Sequence, residues 1–264
     1  MRISITHASI TDKGLNPKKA VNEDSFLVLE QQGLFAVADG VGGAYAGDVA
    51  SQSALDAIRE IVLDVRKRTL ISQRGPFDFI TQLIQAANRT VHHLARKHQH
   101  AMGSTIALLL VQKAYAVLAH VGDSRIYLKR ADKLLQLTVD HSKLQTLLDA
   151  TPDKSLNMAK FEDGHVITKA LGMKASIEPD IQKVNLKDND IFLLCTDGIT
   201  TYNSDDDILA NLTQNANALP KACELFRHVC YARGARDHLT AVVLKVELKD
   251  PDALATRILP KPGG

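Results

Sequence analysis

Three aspartates stand where strongly apolar, strand-like segments end. Asp39, Asp123 and Asp197 each follow such a segment, and glycine follows Asp39 and Asp197 in turn. If these segment ends meet at one edge of a sheet, the carboxylates crowd together and raise one another's pKa unless a cation intervenes. Hard divalent cations prefer all-oxygen ligand sets of this kind. The pattern therefore indicates a divalent-metal site. The segments are residues 34–38, 117–122 and 191–196.

Further polar residues accompany these aspartates. Asn22-Glu23-Asp24 precedes a strand-like segment, Gly122-Asp123-Ser124-Arg125 forms a polar block, and Arg236-Asp237 precedes the last apolar segment. The Gly40-Val41-Gly42-Gly43 turn permits backbone conformations closed to other residues, which would let the Gly40 carbonyl turn toward an ion. For any single Asp-Gly pair the alternative is an ordinary turn, and Asp163-Gly164 is interpreted in that way.

Taken together, these segments resemble the metal-dependent protein serine/threonine phosphatase family, the protein phosphatase 2C or PPM group, in its compact bacterial form. One Asp-Gly pair is weak support, whereas eight segments in family order are highly specific. The matching segments, between about residues 19 and 246, are Asn22-Glu23-Asp24-Ser25, Ala38-Asp39-Gly40-Val41-Gly42-Gly43 with Gly47, Met102-Gly103-Ser104-Thr105, Gly122-Asp123-Ser124-Arg125-Ile126-Tyr127, Thr138-Val139-Asp140-His141-Ser142, Ile167-Thr168-Lys169-Ala170-Leu171-Gly172, Leu194-Cys195-Thr196-Asp197-Gly198 and Asp237-His238-Leu239-Thr240.

The resemblance implies a binuclear Mg²⁺ or Mn²⁺ centre at one end of an αββα sandwich. Asp39 would bridge both ions, the Gly40 carbonyl would bind one, and Asp197 and Asp237 would bind the other. Asp123 would join Asp197 in a third metal site. Two further carboxylates would hold metal-bound waters, namely Glu23 and Asp24.

A mechanism follows from the physics of such a centre. Paired divalent ions lower the pKa of a shared water and neutralise phosphoryl oxygens during an in-line displacement. The expected nucleophile is therefore a bridging hydroxide, with Asp39, Asp197 and Asp237 as the catalytic carboxylates and no phosphoenzyme. Most of the ten histidines are accordingly interpreted as surface or packing residues.

The sequence departs from the family pattern at three positions. Lys19 stands where the family usually has a phosphate-gripping arginine, and it is assigned to substrate binding as a point charge in place of a bidentate fork. The alternative is that Lys18 and Lys19 are ordinary surface charges. Val41 replaces a histidine proposed as general acid in eukaryotic relatives, and His238 replaces an asparagine beside Asp237, where an imidazole could alter metal affinity.

Residues 143–166 occupy the place of the family's variable flap. Leu144, Leu147 and Leu148 predict a short helix, which polar residues and Pro152 follow. Because specificity tends to vary in loops that border sites, a lid that selects substrate is the favoured interpretation. A plain surface loop is the alternative.

The predicted strands and helices that must position these residues occur in groups along the chain and do not alternate strand by helix. Apolar periodicity predicts helices over 46–65 and 77–95, and further helices near 205–212 and 219–231. Short turns between strands favour antiparallel pairing, so the predicted class is α+β: a four-layer αββα sandwich of two antiparallel sheets flanked by helices. The first seven residues alternate like a strand. Other strands are predicted at 26–29, 34–38, 105–111, 114–121, 125–128, 134–137, 191–196 and 239–246.

Composition limits the classes of function. The chain has 264 residues, 45% of them hydrophobic, and a net charge of +2, so no global field draws it to nucleic acid or an anionic membrane. Its apolar runs are too short to span a bilayer, and no signal peptide precedes them, which predicts a cytoplasmic protein. The three cysteines lack CxxC spacing and are assigned neither a disulfide nor zinc. One phosphatase domain over 1–249 and a loosely ordered tail over 250–264 are expected.

The leading hypothesis is thus a phosphatase that removes phosphate from phosphoserine and phosphothreonine on proteins and opposes a bacterial serine/threonine kinase. Its partners would be phosphorylated proteins, including such a kinase and its substrates. One rival is a catalytically silent relative that binds phosphoproteins, although a pure binding module gains nothing from crowded carboxylates. Another is a hydrolase of small phosphate esters.

Overall fold

A computed structural model describes the chain over residues 2–17, 19–42, 46–151 and 166–249. Lys18, Gly43, Asp163-Gly164, most of the expected flap and the expected tail lie outside these ranges, so the predictions about them, and the domain boundary, stay predictions. The strands are β1 (Arg2–Asp12), β2 (Asp24–Leu29), β3 (Leu34–Gly42), β4 (Met102–Ser104), β5 (Ile106–Val111), β6 (Tyr115–Val121), β7 (Arg125–Arg130), β8 (Lys133–Gln136), β9 (Asp180–Asn185), β10 (Asp190–Cys195) and β11 (Leu239–Lys249). The helices are α1 (Gly47–Leu63), α2 (Val65–Ser72), α3 (Pro76–His98), α4 (Lys143–Ala150), α5 (Asp197–Thr200), α6 (Asp205–Gln214) and α7 (Leu219–Ala232).

The strands form two sheets in which the pairings are antiparallel. One sheet has the order β2-β3-β5-β6-β9, with β4 paired to β3, and the other has the order β1-β11-β10-β7-β8. In the second sheet β1 pairs with β11 along its whole length, from Arg2 opposite Lys249 to Asp12 opposite Leu239. Hairpins connect β5 to β6 and β7 to β8, which accounts for the antiparallel pairing of these neighbours.

Both faces of the central strands are buried, which produces three apolar layers. Leu34 and Ala36 of β3 face α1 and α3, whereas the alternate residue Phe35 faces the other sheet, as the period of two along a strand requires. In β10 the same alternation places Phe192 between the sheets and Leu193 against α6 and α7. The helices therefore cover the outer faces of two stacked sheets, and the predicted four-layer α+β sandwich is confirmed.

Local signals explain where the principal helices begin and end. Pro76 begins α3. Basic residues occupy the last turn of this helix, where their positive charges interact favourably with the negative end of the helix dipole. Ser204 and Asp207 form a capping box at the start of α6, each side chain bonding the other's backbone N–H. The predicted helices over 46–65, 77–95, 205–212 and 219–231 correspond to α1, α3, α6 and α7 with boundary shifts of a few residues.

Four elements were not expected, namely α2, β4, β9 and the four-residue helix α5. The helix predicted over 46–65 ends at Leu63, because Asp64 turns to cap the separate helix α2 by accepting hydrogen bonds from Arg66 N–H at 2.9 Å and Lys67 N–H at 3.1 Å. The edge strand β9 and the three-residue β4 were also missed. Exposed residues fill most of β9, so its sequence lacks a buried apolar face from which to infer a strand.

Within the described ranges, no helix has both the length and the apolar character that crossing a bilayer requires. The cysteines Cys195, Cys223 and Cys230 are buried free thiols.

Candidate active site

The strand ends predicted to carry the chemistry meet at one end of the sandwich. Asp24 of β2 is the register partner of Asp39 of β3, and Asp123 follows β6. Asp197 begins α5 directly after β10, while Asp237 precedes β11. A cleft of about 770 Å³, here called the carboxylate cleft, opens at this end. Its polar lining residues are Lys19, Glu23, Asp39, Gly40, Asp123, Asp197 and Asp237.

The structure thus brings together the residues proposed from the sequence, although Asp24 lies behind the cleft wall rather than on it. Asp24 is buried, and its Oδ2 accepts a hydrogen bond of 2.7 Å from the Thr196 hydroxyl. The Thr196 oxygen in turn accepts from Thr240 N–H at 3.1 Å. Burial raises the pKa of Asp24 to about 7, with the Asp197 charge adding to the rise and the threonine hydrogen bonds opposing it.

Thr105 joins the backbone of Asp39 to the turn that carries Asp123. Asp39 N–H donates to Thr105 Oγ1 at 2.9 Å, and Thr105 N–H donates back to the Asp39 carbonyl at 2.8 Å. The same Thr105 hydroxyl lies 2.6 Å from the Ser124 hydroxyl. One side chain therefore fixes the separation between two carboxylate-bearing segments that lie far apart in the chain.

Mutual repulsion dominates the electrostatics of the carboxylate cleft. Burial and the charges of Asp24 and Asp197 raise the pKa of Asp39 well above its ordinary range. Burial and the Asp197 charge likewise raise the pKa of Asp123 to about 7. Among the described residues, Asp24 Oδ1 and Asp123 Oδ1 are buried oxygens without a hydrogen-bond partner. Such orphaned acceptors are costly unless a cation or proton satisfies them.

Lys19 lies on the carboxylate cleft and contacts Asp237. Its ammonium group donates to Asp237 Oδ1, to which the His238 backbone N–H also donates at 2.9 Å. Burial opposes ionisation of both side chains, but their hydrogen bond and opposite charges outweigh it, raising the pKa of Lys19 and lowering that of Asp237. Lys19 is therefore not a plain surface charge.

Gly40 is required by the close approach of α1. Its N–H donates to the Glu23 carbonyl at 3.1 Å, and a β-carbon at this position would lie only 1.8 Å from the Gly47 carbonyl oxygen. No side chain fits between these two segments, so only glycine is accommodated here, and Gly40 is also part of the cleft lining. Burial raises the pKa of the adjoining Glu23, with the Asp48 charge adding and Lys19 opposing.

His238 contacts Glu23 instead of entering the cleft. Its Nδ1 accepts a hydrogen bond of 3.3 Å from the Glu23 backbone N–H, and its side chain is buried. Burial lowers the pKa of His238, with Lys19 adding to the effect, which favours the neutral imidazole. The histidine therefore supports the loop before β2.

One side of the carboxylate cleft is apolar, and sequence reasoning did not find it. Met173 is 59% exposed and Val41 is 40% exposed, both facing this cleft. Met102 and Ala170 belong to two segments that resemble the family. Their apolar residues are the sequence signal from which the apolar side of the cleft could have been predicted. Val166, the last residue of the expected flap, also lines the cleft. The short helix predicted within the flap corresponds to α4.

The arrangement as a whole suits a hydrolytic metal centre. Among the residues that the structure describes, several carboxylates, Gly40 and Lys19 line an open cleft that is polar on one side and apolar on the other. Oxygen donors of this type fit Mg²⁺ or Mn²⁺, while the Lys19 ammonium group suits an anionic group such as a phosphate.

Comparison with known proteins agrees with the geometry. The sequence profile of the family described as Protein phosphatase 2C matches residues 16–243. Protein phosphatase PhpP of Streptococcus pneumoniae is 30% identical over 223 residues, which cover 83% of this chain and 88% of PhpP. The serine/threonine phosphatase PstP/Ppp of Mycobacterium tuberculosis superposes with a TM-score of 0.78 at 29% identity, covering 92% of this chain and 99% of that one.

The catalytic domain of PstP, solved in complex with 2 manganese ions, also gives a TM-score of 0.78 at 29% identity, covering 93% of this chain and all (100%) of that domain. The prediction of a phosphatase enzyme is thereby confirmed. Sequence, fold and the convergence of carboxylates on one cleft lead to the same result: this chain belongs to the protein phosphatase 2C family.

Proposed function

We propose that this enzyme hydrolyses phosphoserine and phosphothreonine esters on proteins with the aid of two Mg²⁺ or Mn²⁺ ions, a third ion being held by Asp123 and Asp197. The observation that carries the proposal is the convergence of Asp39, Asp197 and Asp237 with Asp123 on one cleft. The relatives named above are protein phosphatases, which supports a protein substrate for this chain as well.

The residues present fit such ions. Asp123 Oδ1 and Asp24 Oδ1 are buried without partners in the described part of the chain, and the raised carboxyl pKa values show how poorly the negative charges tolerate one another without a cation. Asp39, the Gly40 carbonyl, Asp197 and Asp237 would hold the ions of the binuclear centre. Glu23, on the cleft lining, and Asp24, behind it, would orient the water ligands of the ions.

When bound, the ions supply a water of lowered pKa as nucleophile and positive charge that stabilises the phosphoryl oxygens. Lys19 would leave Asp237 to its metal and bind a phosphoryl oxygen of the substrate, because its ammonium already lies on the cleft. Val41 cannot protonate a leaving group, so that proton would come from water. The apolar wall that includes Met102 and Met173 would exclude water from one side of the ester and contact neighbouring side chains of the substrate.

The chemistry of the substrate implies its source. Phosphoserine and phosphothreonine on proteins are formed by transfer of a phosphoryl group from a nucleotide to a hydroxyl, so a serine/threonine kinase must supply them. We therefore place the enzyme opposite such a kinase, with the phosphorylated proteins, and the kinase itself where it carries phosphate, as its partners.

The proposal is tested by phosphate release from a phosphothreonine peptide with and without Mn²⁺, in the native protein, in Asp39→Asn and in Asp132→Asn. Asp132 is an exposed aspartate between β7 and β8 and serves as the matched control. We expect Mn²⁺-dependent release in the native and Asp132→Asn proteins and its loss in Asp39→Asn. Equal rates with and without metal, or turnover confined to small phosphate esters, would overturn the proposal.

A further inference from the structure

A pair of stacked histidines lies behind the turn that carries Asp123. His120 of β6 and His141 have nearly parallel rings, with centroids 4.7 Å apart and an interplanar angle of 9°. Asp180 of β9 is the register partner of His120, and its Oδ1 lies 3.3 Å from His141 Nε2. Lys169 donates to the same oxygen at 2.9 Å.

Two imidazoles and a carboxylate within 4.8 Å of one another are a donor set that suits zinc, but the ring geometry argues against a metal here. The lone pair of an imidazole nitrogen lies in the ring plane, so a metal must lie close to the plane of every ring that binds it. The planes of two rings stacked face to face do not converge on a common point. His120 Nε2 is also engaged with the Val139 carbonyl at 2.7 Å, and the Lys169 ammonium repels a cation.

The hydrogen bonds of His141 instead lead to Gly122. The Gly122 backbone N–H donates to His141 Nδ1 at 3.0 Å, and the His141 backbone N–H donates to the Gly122 carbonyl at 3.0 Å. His141 therefore engages both polar backbone groups of one residue. Because Nδ1 accepts, the proton of the neutral ring resides on Nε2, where it faces Asp180. Burial and the neighbouring His120 and Lys169 lower the pKa of His141, which favours this neutral form.

Gly122 is the residue on which the Asp123 carboxylate depends. Its φ is +101°, a conformation that favours glycine, and a β-carbon there would lie 2.6 Å from the Thr105 methyl group. Thr105 holds the following Ser124 through its hydroxyl. The turn formed by Gly122, Asp123 and Ser124 is thus held at Ser124 by Thr105 and at Gly122 by His141. Asp123 lies between these two held residues.

We propose that His141 is a positioning residue for Asp123: its Nδ1 holds the Gly122 N–H, and Asp180, Lys169 and the stacked His120 hold the imidazole. This inference rests on the proposed function, since that function assigns Asp123 to a metal ion. The ring acts on the turn and touches neither substrate nor ion.

The test is Mn²⁺ binding measured by titration calorimetry on the native protein, His141→Leu, His141→Asn and His141→Gln. An asparagine oxygen can occupy the place of Nδ1 and accept from Gly122 N–H, whereas leucine cannot accept and glutamine extends to the place of Nε2. We expect about tenfold weaker binding of the ion at Asp123 in His141→Leu and His141→Gln, and recovery of most of the affinity in His141→Asn. His93→Leu, at an exposed position on α3, controls for loss of a histidine.

Introducing the substitutions into Asp123→Asn separates a specific effect from general damage. If His141 acts through Asp123, His141→Leu causes no further loss of Mn²⁺ affinity in that background, because interacting residues are not additive. Native affinity in His141→Leu and His141→Gln, or an equal loss in His141→Asn and His141→Gln, would overturn the inference. If His141→Leu does not fold, the comparison of asparagine with glutamine decides. Failure of the native protein to bind Mn²⁺ would instead overturn the proposed function.

Discussion

At the scale of single residues, the carboxylate cleft is a set of groups whose charges oppose one another. Asp24 and Asp123 have pKa values raised to about 7, and the pKa of Asp39 is raised well above its ordinary range, because burial removes water and neighbouring carboxylates repel. Keeping these charges together therefore lowers the free energy of unfolding. Such a loss of stability is common where a protein is built to bind a ligand.

This cost predicts the pH dependence of the metal-free protein. The ordinary pKa of Asp123 is 3.8 and its folded value is about 7, so between these values the folded state binds a proton more tightly than the unfolded state. The contribution of Asp123 to stability must then fall as pH rises through this window, and the full penalty is present above about pH 7. Asp123→Asn removes it.

With chelator at pH 8, we expect Asp123→Asn to be more stable than the native protein by about 1–4 kcal/mol, a rise of several degrees in Tm. The difference should vanish near pH 4. Thermal unfolding across this range measures it, with Asp132→Asn as control. A lower Tm for Asp123→Asn at pH 8 would contradict the electrostatic account.

Lys19 permits a second test at this scale. Removal of its ammonium group in Lys19→Ala should raise KM for a phosphothreonine peptide about three- to tenfold at saturating Mn²⁺, with kcat much less altered, because the lost contact exists in ground state and transition state alike. Lys19→Arg should restore KM, since its fork still reaches phosphate. Steady-state kinetics with the exposed Lys13→Ala as control decide the point. An unchanged KM in Lys19→Ala would remove the assigned role.

At the scale of elements, different segments supply the polar and the apolar lining of the carboxylate cleft. Strand ends supply the carboxylates, while β4 supplies Met102 and the segment before β9 supplies Ala170 and Met173 to the apolar wall. A phosphoryl group bound at the polar side leaves the flanking residues of a peptide against this wall. If the proposed function holds, recognition of the ester and of its protein context would belong to different elements.

Met173→Ala tests this division. We expect kcat/KM to fall several-fold for a phosphothreonine peptide with leucine beside the phosphoresidue, because burial of apolar area against Met173 is lost. A peptide with serine at that position and p-nitrophenyl phosphate should be hydrolysed at native rates. Leu70→Ala, at a 70% exposed position on α2 that is not part of the cleft lining, is the control. A uniform fall for every substrate would argue against a specific contact.

At the scale of the whole molecule, the apolar layer between the two sheets holds the carboxylates in register. Phe35 of β3 and Phe192 of β10 lie fully buried in this layer, and each strand leads to an aspartate of the carboxylate cleft. Packing far from the chemistry therefore sets the relative position of Asp39 and Asp197.

Phe192→Ala should lower the free energy of unfolding by about 3–5 kcal/mol, because it removes a buried aromatic ring and leaves a cavity between the sheets. Denaturant unfolding measures the change, and Leu135→Ala, at a 45% exposed position of β8, should alter stability by less than about 1 kcal/mol. A native-like midpoint for Phe192→Ala would show that the layer tolerates the cavity.

Much of this organisation could be predicted from the sequence because its signals are local. Buried strands that end in aspartate are visible as apolar runs followed by Asp39, Asp123 and Asp197, and amphipathic periodicity located α1 and α3. Contacts between distant segments leave no such signal. The Lys19 to Asp237 ion pair spans 218 positions. The cluster of His120, His141 and Asp180 forms only because strand β9 places Asp180 beside the two stacked rings.

The hydroxyl bonds at the end of the sandwich have a mechanical consequence. Thr105 bonds to Ser124, the residue before β7, and Thr196 after β10 bonds to Asp24 of β2, so both contacts tie one sheet to the other. An apolar interface resists shear mainly through dispersion, which is less directional than hydrogen bonding. These hydrogen bonds therefore add to dispersion in restraining the sheets from sliding at the end that carries the carboxylate cleft, which would keep the spacing between its carboxylates steady while the sandwich fluctuates.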